Sequence, residues 1–175
     1  MTDPVTIAAA VRMSVPYITR FLPGFDDSNR AVQAPGIHNH VAWTLGHLAL
    51  TMHRAAERVD GKTDLPQADF VVGDGSSGGP DRFDSESVCY GSTPSSEAVR
   101  YPTFDRCVTI FEAAAERAAA VAEHADETLL GDLTTWGGSE TTKGDLLVRM
   151  ALHNATHAGQ IIDLRRALGM PKLVG

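Results

Sequence analysis

His153 and His157 are four residues apart in His153-Asn154-Ala155-Thr156-His157, and on a helix that spacing stacks two imidazoles on one face. The rise between them is about 6 Å at roughly 1.5 Å per residue, so both rings can reach one ion. They fall on a stripe with Leu146, Met150, Ile161, Leu164 and Leu168 when successive residues are turned by about 100°. A buried imidazole nitrogen without a partner costs roughly 1–3 kcal/mol, so two in an apolar face call for hydrogen-bond partners or a metal. A third histidine, His47, lies in residues 41–52, where only Thr44, His47 and Thr51 are polar. A helix that is apolar on every side is normally buried on every side. Three neutral imidazoles from two helices would hold a divalent ion and leave coordination positions open for water or substrate, as in catalytic zinc sites. The alternative stays open at this point: His47 bonded to a backbone or hydroxyl group, with His153 and His157 as polar core residues.

Several familiar sites are excluded by what is missing. A zinc-protease helix needs Glu after its first histidine, and Asn154 stands there. The inward Glu and Glu-x-x-His pairs of di-iron bundles are absent, which favours a single ion. Zinc and nickel both suit imidazole ligands, and the sequence does not choose between them. His40, two helical turns before His47, could line the same mouth, but a solvated capping role is expected for it and for His38. His53 and His124 are expected at the surface. Gln160, three residues beyond His157, is placed either to orient a substrate or bound water or to act as a helix-packing amide. The glycine-rich run from Gly73 to Gly79 has neither a following Gly-Lys-Ser/Thr nor a preceding strand, so a phosphate loop is not expected. Cys107 reads as an inert core thiol, and neither it nor Cys89 completes a Cys-His pair.

The elements that must position these residues are helical. With 175 residues, 43% of them apolar, the chain can bury one core, and a single domain over residues 1–175 is expected. The first helix is capped by Asp3 with Pro4 at its first position and runs to about Phe21, with a kink expected at Pro16. The second runs from about Asn39 to Asp60-Gly61. Residues 61–100 hold many of the Gly, Ser, Pro and Asp residues and read as a long irregular connection. A connection of that length fits a crossover between parallel second and third helices of a four-helix bundle. The third helix follows Pro102 with Thr103 as cap, and its Phe104, Val108, Phe111, Ala115, Ala118 and Ala122 repeat at helical spacing. A turn is expected around Trp136-Gly137-Gly138-Ser139. The fourth helix opens on Thr142-Lys143-Gly144-Asp145, which resembles a capping box, and runs to Leu168. No run suggests a sheet, so the expected class is all-α.

Charge and targeting narrow the function further. Lys and Arg total 15 against 22 Asp and Glu, a formal charge of −7, which removes the bulk attraction to phosphate that nucleic-acid binding needs. Residues 41–52 fall short of the roughly 20 apolar residues of a membrane span. Met1-Thr2-Asp3-Pro4 shows no positive region followed by an apolar block, and two cysteines fit free thiols in a reduced compartment, so a cytoplasmic protein is expected.

The segments Asn39-His40-Val41-Ala42-Trp43-Thr44-Leu45-Gly46-His47-Leu48 and His153-Asn154-Ala155-Thr156-His157-Ala158-Gly159-Gln160-Ile161 resemble the DinB-like family of metal-binding four-helix bundles. Both contain the family's metal histidines in the expected order. Tyr101-Pro102-Thr103 leading into a helix, after a long connection, also looks like this family, so the similarity covers nearly the whole chain. The resemblance implies up-down-down-up connectivity, a divalent ion held by His47, His153 and His157, and frequently a homodimer. It does not imply DNA polymerase activity. Because the family includes thiol-dependent S-transferases, it brings in a low-molecular-weight thiol as a candidate cofactor, although no residue here carries over as a thiol contact.

Two functions follow as expectations. One is a metal-dependent enzyme, a thiol transferase or hydrolase acting on a small molecule, with residues 61–100 helping to cover the mouth. The other is a non-catalytic metal-stabilised stress-response or interaction module, in which the ion clamps the second and fourth helices. Ala151, Ala155, Gly159 and Ile162 form a small-residue face on the fourth helix that suits either a second chain or packing within the monomer.

Overall fold

The computed structural model describes residues 3–173. Its first helix, α1 (Pro4–Thr19), starts as the sequence requires, with the Asp3 carboxylate accepting from the Thr6 N–H at 2.9 Å and Pro4 in the first turn. It contains Pro16 in its last turn and ends two residues earlier than expected. Beyond Thr19 the chain tightens into turns, with Phe21 N–H donating to Ile18 and Leu22 N–H to Thr19.

Helix α2 (Val41–Asp60) is capped by His40, whose Nδ1 accepts from the Trp43 N–H at 3.1 Å, and is stopped by Gly61 at φ 71°. Every residue from Val41 to Leu50 is buried, as its all-round apolar composition requires. Helix α3 (Phe104–His124) buries Phe111, Ala115, Ala118 and Ala122 of the expected stripe, while Phe104 and Val108 are only half-buried against the core. Thr103 occupies its cap position without a side-chain bond; the Asp27 carboxylate takes the Phe104 N–H at 2.7 Å instead. A short helix α4 (Glu127–Gly131) precedes the last one, so the fourth helix read from the sequence is α5 (Lys143–Ala167). There Thr142 Oγ1 accepts from the Asp145 N–H at 3.0 Å, the capping contact the sequence announces.

Helices α3 and α5 each pack against both α1 and α2. The molecule is therefore mostly helical, in keeping with the expected class, although small strands occur in both connections that the sequence leaves irregular. Strands β1 (Phe70–Val71) and β2 (Phe83–Asp84) form a parallel pair inside the long connection. Strands β3 (Leu133–Trp136) and β4 (Ser139–Thr142) form an antiparallel hairpin with Trp136 opposite Ser139. Its loop is Gly137-Gly138, both at positive φ (58° and 81°), the backbone that a two-residue turn of this hand needs.

The long connection is a packed layer. Phe70, Phe83 and Val88 are buried, and the Phe83 ring lies so close over Gly46 of α2 that a Cβ there would come within 2.6 Å of it. Gly46 is what lets the connection rest on α2 one residue from His47. Among the described residues no helix is long and apolar enough to cross a membrane.

Candidate metal centre

His47 is positioned from α2 and His153 and His157 from α5, and the structure brings the three together. One ring nitrogen from each lies within 4.8 Å of the other two. Nitrogens bound to one zinc ion at about 2.1 Å stand roughly 3.0–3.4 Å apart, so the cluster needs little movement to close on a cation. The Nε2 atoms of His153 and His157 already face each other at 3.1 Å.

Burial and hydrogen bonding suit these rings to a cation. His47 and His157 are buried and His153 is half-buried. Loss of solvation pulls the His47 pKa below the usual 6.5, with the Val88 contact opposing. Burial takes His153 down to about 4, with His47 and Arg149 adding repulsion. It takes His157 to about 3, with His153 and His47 adding to the effect. All three are neutral at pH 7, the form that ligates a metal. The Nδ1 of His47 lies 2.9 Å from the Val88 carbonyl, which fixes the proton on Nδ1 and leaves Nε2 as the free lone pair. Its ring is stacked on Trp43 at 4.7 Å with planes 6° apart, and the Trp43 Nε1–H donates to Ser92 Oγ at 3.0 Å. The long connection thus supplies two groups, Val88 and Ser92, that hold the α2 side of the centre.

The α5 side is less satisfied. The Nδ1 atoms of His153 and His157 are buried without a hydrogen-bond partner. Gln160 is close enough to favour a proton on His157, but it makes no well-formed bond there; its Oε1 accepts from Asn39 Nδ2 at 3.3 Å. Gln160 is therefore tied to the start of α2, nearer to the packing role than to the orienting one. Two imidazoles, one buried and one half-buried, whose nitrogens meet only each other or nothing form a donor set that a divalent cation would satisfy. The residues present fit such an ion.

The other candidates separate from the centre. Asn154 is fully buried on the opposite side, donating to Ser14 Oγ at 2.7 Å, so it takes no part as a base. His40 caps α2 as expected but is not solvated: it is fully buried, its Nε2 2.9 Å from the Ser95 carbonyl and its ring edge-on to Tyr101. His53 is also buried, contrary to the surface position expected for it, because the folded connection lays Phe70 edge-on against it at 5.6 Å. His38 and His124 are exposed. Cys107 is a fully buried thiol whose pKa burial pushes far up, as an inert core cysteine requires. The small-residue face of α5 divides: Ile162 packs against the core and Ala151 is half-buried, whereas Ala155 and Gly159 are exposed.

Outward from the triad lies a cleft of about 710 Å³ that His47 and His153 reach, lined also by Tyr90, Trp136, Arg54, Arg58 and Arg149. These residues were not singled out by sequence. Arg149 at one turn before His153, and Thr51, Arg54 and Arg58 continuing the His47 face of α2, carried a helical signal that could have found them.

Three comparisons bear on this arrangement. No curated protein matches the chain. A crystal structure described as a conserved protein of locus from Enterococcus faecalis superposes with a TM-score of 0.69 at 14% identity, covering 97% of this chain and 99% of that one. At that identity the likeness concerns the fold alone. The family model described as the DinB superfamily matches residues 15–161, a span that contains all three histidines, the whole of α2 and α5 as far as Ile161. On that match, the chain belongs to the DinB superfamily.

Proposed function

We propose that this protein is a divalent-metal protein whose ion, zinc or nickel, is held by His47, His153 and His157, and that it acts as an enzyme on a small molecule by thiol transfer or hydrolysis. The observation that carries the reading is the meeting of three neutral imidazoles within 4.8 Å of one another, two of which, His47 and His153, line an open cleft. An ion bound there supplies Lewis acidity toward a thiol, a water or a carbonyl oxygen. The chain's own residues do the rest. Val88 sets the His47 tautomer, Trp43 fixes the plane of that ring, and burial keeps the imidazoles unprotonated. The packing of α3 and α5 against both α1 and α2 supports a four-helix bundle with up-down-down-up connectivity, in which residues 61–100 make the crossover. The reading includes a single domain, a low-molecular-weight thiol as co-substrate, and a cytoplasmic setting in which Cys89 and Cys107 stay free. It also includes a homodimer, for which the exposed Ala155 and Gly159 offer a face of close approach.

The alternative is a non-catalytic module in which the ion clamps α2 to α5 and function lies in a stress-response or partner surface. The orphaned Nδ1 atoms favour it to this extent: their hydrogen bonding is incomplete for a tuned catalytic site. Screening zinc- or nickel-loaded protein against thiols paired with electrophiles, and against hydrolysable esters and amides, separates the two. Turnover that disappears in the His47→Ala/His153→Ala/His157→Ala protein while its melting temperature stays near that of the metal-free wild type supports the enzyme. Absence of turnover with every pair, together with collapse of stability in the triple variant, supports the clamp.

A further inference from the structure

In a chain with seven more acidic than basic residues, most arginines find a carboxylate, a carbonyl or a ring. Arg12, Arg30, Arg100, Arg106, Arg117 and Arg166 are ion-paired. Arg82 and Arg165 donate to backbone carbonyls, and Arg20 lies over Tyr17 and Phe21. Arg58 and Arg149 have no such partner among the described residues, and both line the cleft above the histidines. The third arginine of that lining, Arg54, has only Glu86 at 3.9 Å. Glu57 is the one carboxylate on the lining, and it pairs with none of the three.

The placement follows from the helices. Arg54 and Arg58 continue outward along α2 from His47, and Arg149 is one turn outward from His153 on α5. From each histidine the nearest arginine is thus about 6–10 Å along its helix axis. Like charges four residues apart on a helix repel, and Arg149 adds a third from the facing helix. Three guanidiniums line one cleft, two of them unpaired and the third only loosely paired with Glu86, against the single carboxylate of Glu57 on the lining, and such an excess of forked donors suits an anion. Tyr90, Trp136 and Met150 supply apolar surface between, and a volume of about 710 Å³ suits a small molecule.

We infer that the cleft selects a small organic anion: an apolar body whose carboxylate is held by Arg149, Arg58 and Arg54, with its reacting end at the three histidines. The inference rests on the metal-site reading above and names the substrate class for it. Two probes of equal length and apolarity, ω-mercaptohexanoate and ω-mercaptohexanol, differ in the charge alone. Each is titrated into the cobalt(II)-loaded full chain, and binding is read from the thiolate-to-cobalt absorption band. The carboxylate is expected to bind roughly tenfold more tightly, the order that one charge-assisted hydrogen bond supplies. The preference is expected to fall below about twofold in Arg58→Gln/Arg149→Gln, and to weaken with added salt. Both positions are exposed, so this variant should keep the wild-type melting temperature and cobalt spectrum. Equal affinity of the two probes for wild type, or a preference that survives in the variant, overturns the inference and leaves the metal site standing. Failure of the wild type to take up cobalt overturns the metal reading, and this inference with it.

Discussion

His53 lies on α2 six residues beyond His47, 4% exposed, with its Nε2 buried and unpartnered. Burial first, then the nearby Arg117, pulls its pKa from 6.5 to about 4, with Asp69 opposing. The unfolded chain therefore binds a proton in this pH range that the native protein refuses. Its contribution to stability is fully present above about pH 6.5 and is lost as pH falls toward about 4. His53→Leu removes that linked proton. In urea titrations of metal-free protein, the variant should show a slope of unfolding free energy against pH shallower by up to about 1.4 kcal/mol per pH unit between those limits. An unchanged slope would mean that His53 is solvated after all. The contrast with the triad explains what sequence could see at this scale. His153 and His157 share a stripe with Leu146, Met150 and Ile161, so periodicity alone marks them as inward. His40 and His53 owe their burial to Ser95, Tyr101 and Phe70, which approach from a segment with no period to read.

At the scale of elements, the connection over residues 61–100 matters most to the centre, since Val88 and Ser92 hold the His47 side in place. Its seat on α2 is Gly46, where a Cβ would meet the Phe83 ring at 2.6 Å. Gly46→Ala should lower stability by about 1–3 kcal/mol through overpacking, and the loss should shrink when Phe83→Leu is made in the same chain. A double-mutant cycle by thermal or urea unfolding checks this; strictly additive losses would show that the ring is not what the new methyl meets. The four long helices were legible because caps, breakers and apolar stripes are local signals. The β1–β2 pair was not, because two-residue parallel strands joined across residues 72–82 carry no alternation. The β3–β4 hairpin shows mostly polar strands, Thr134-Thr135 facing Glu140-Thr141, so only its Gly137-Gly138 turn spoke in the sequence.

For the whole molecule, an ion between α2 and α5 is a crosslink between two of the helices that enclose the core. Zinc or nickel at about a hundred times its dissociation constant should stabilise the native state by about 2.7 kcal/mol, raising the melting temperature by roughly 5–10 °C. Differential scanning calorimetry should show no such shift in His47→Ala/His153→Ala/His157→Ala. Magnesium, which prefers oxygen ligands, should give little shift in either protein. A shift of equal size in the triple variant would place the ion elsewhere. The most direct measurement is anomalous scattering from crystals grown with zinc or nickel, recorded at the metal's absorption edge and paired with elemental analysis of the same preparation. The account expects one peak per chain among the ring nitrogens of His47, His153 and His157, and about one equivalent of metal that the triple variant lacks. Density-free space among those three rings, with the same metal content in both proteins, would contradict it.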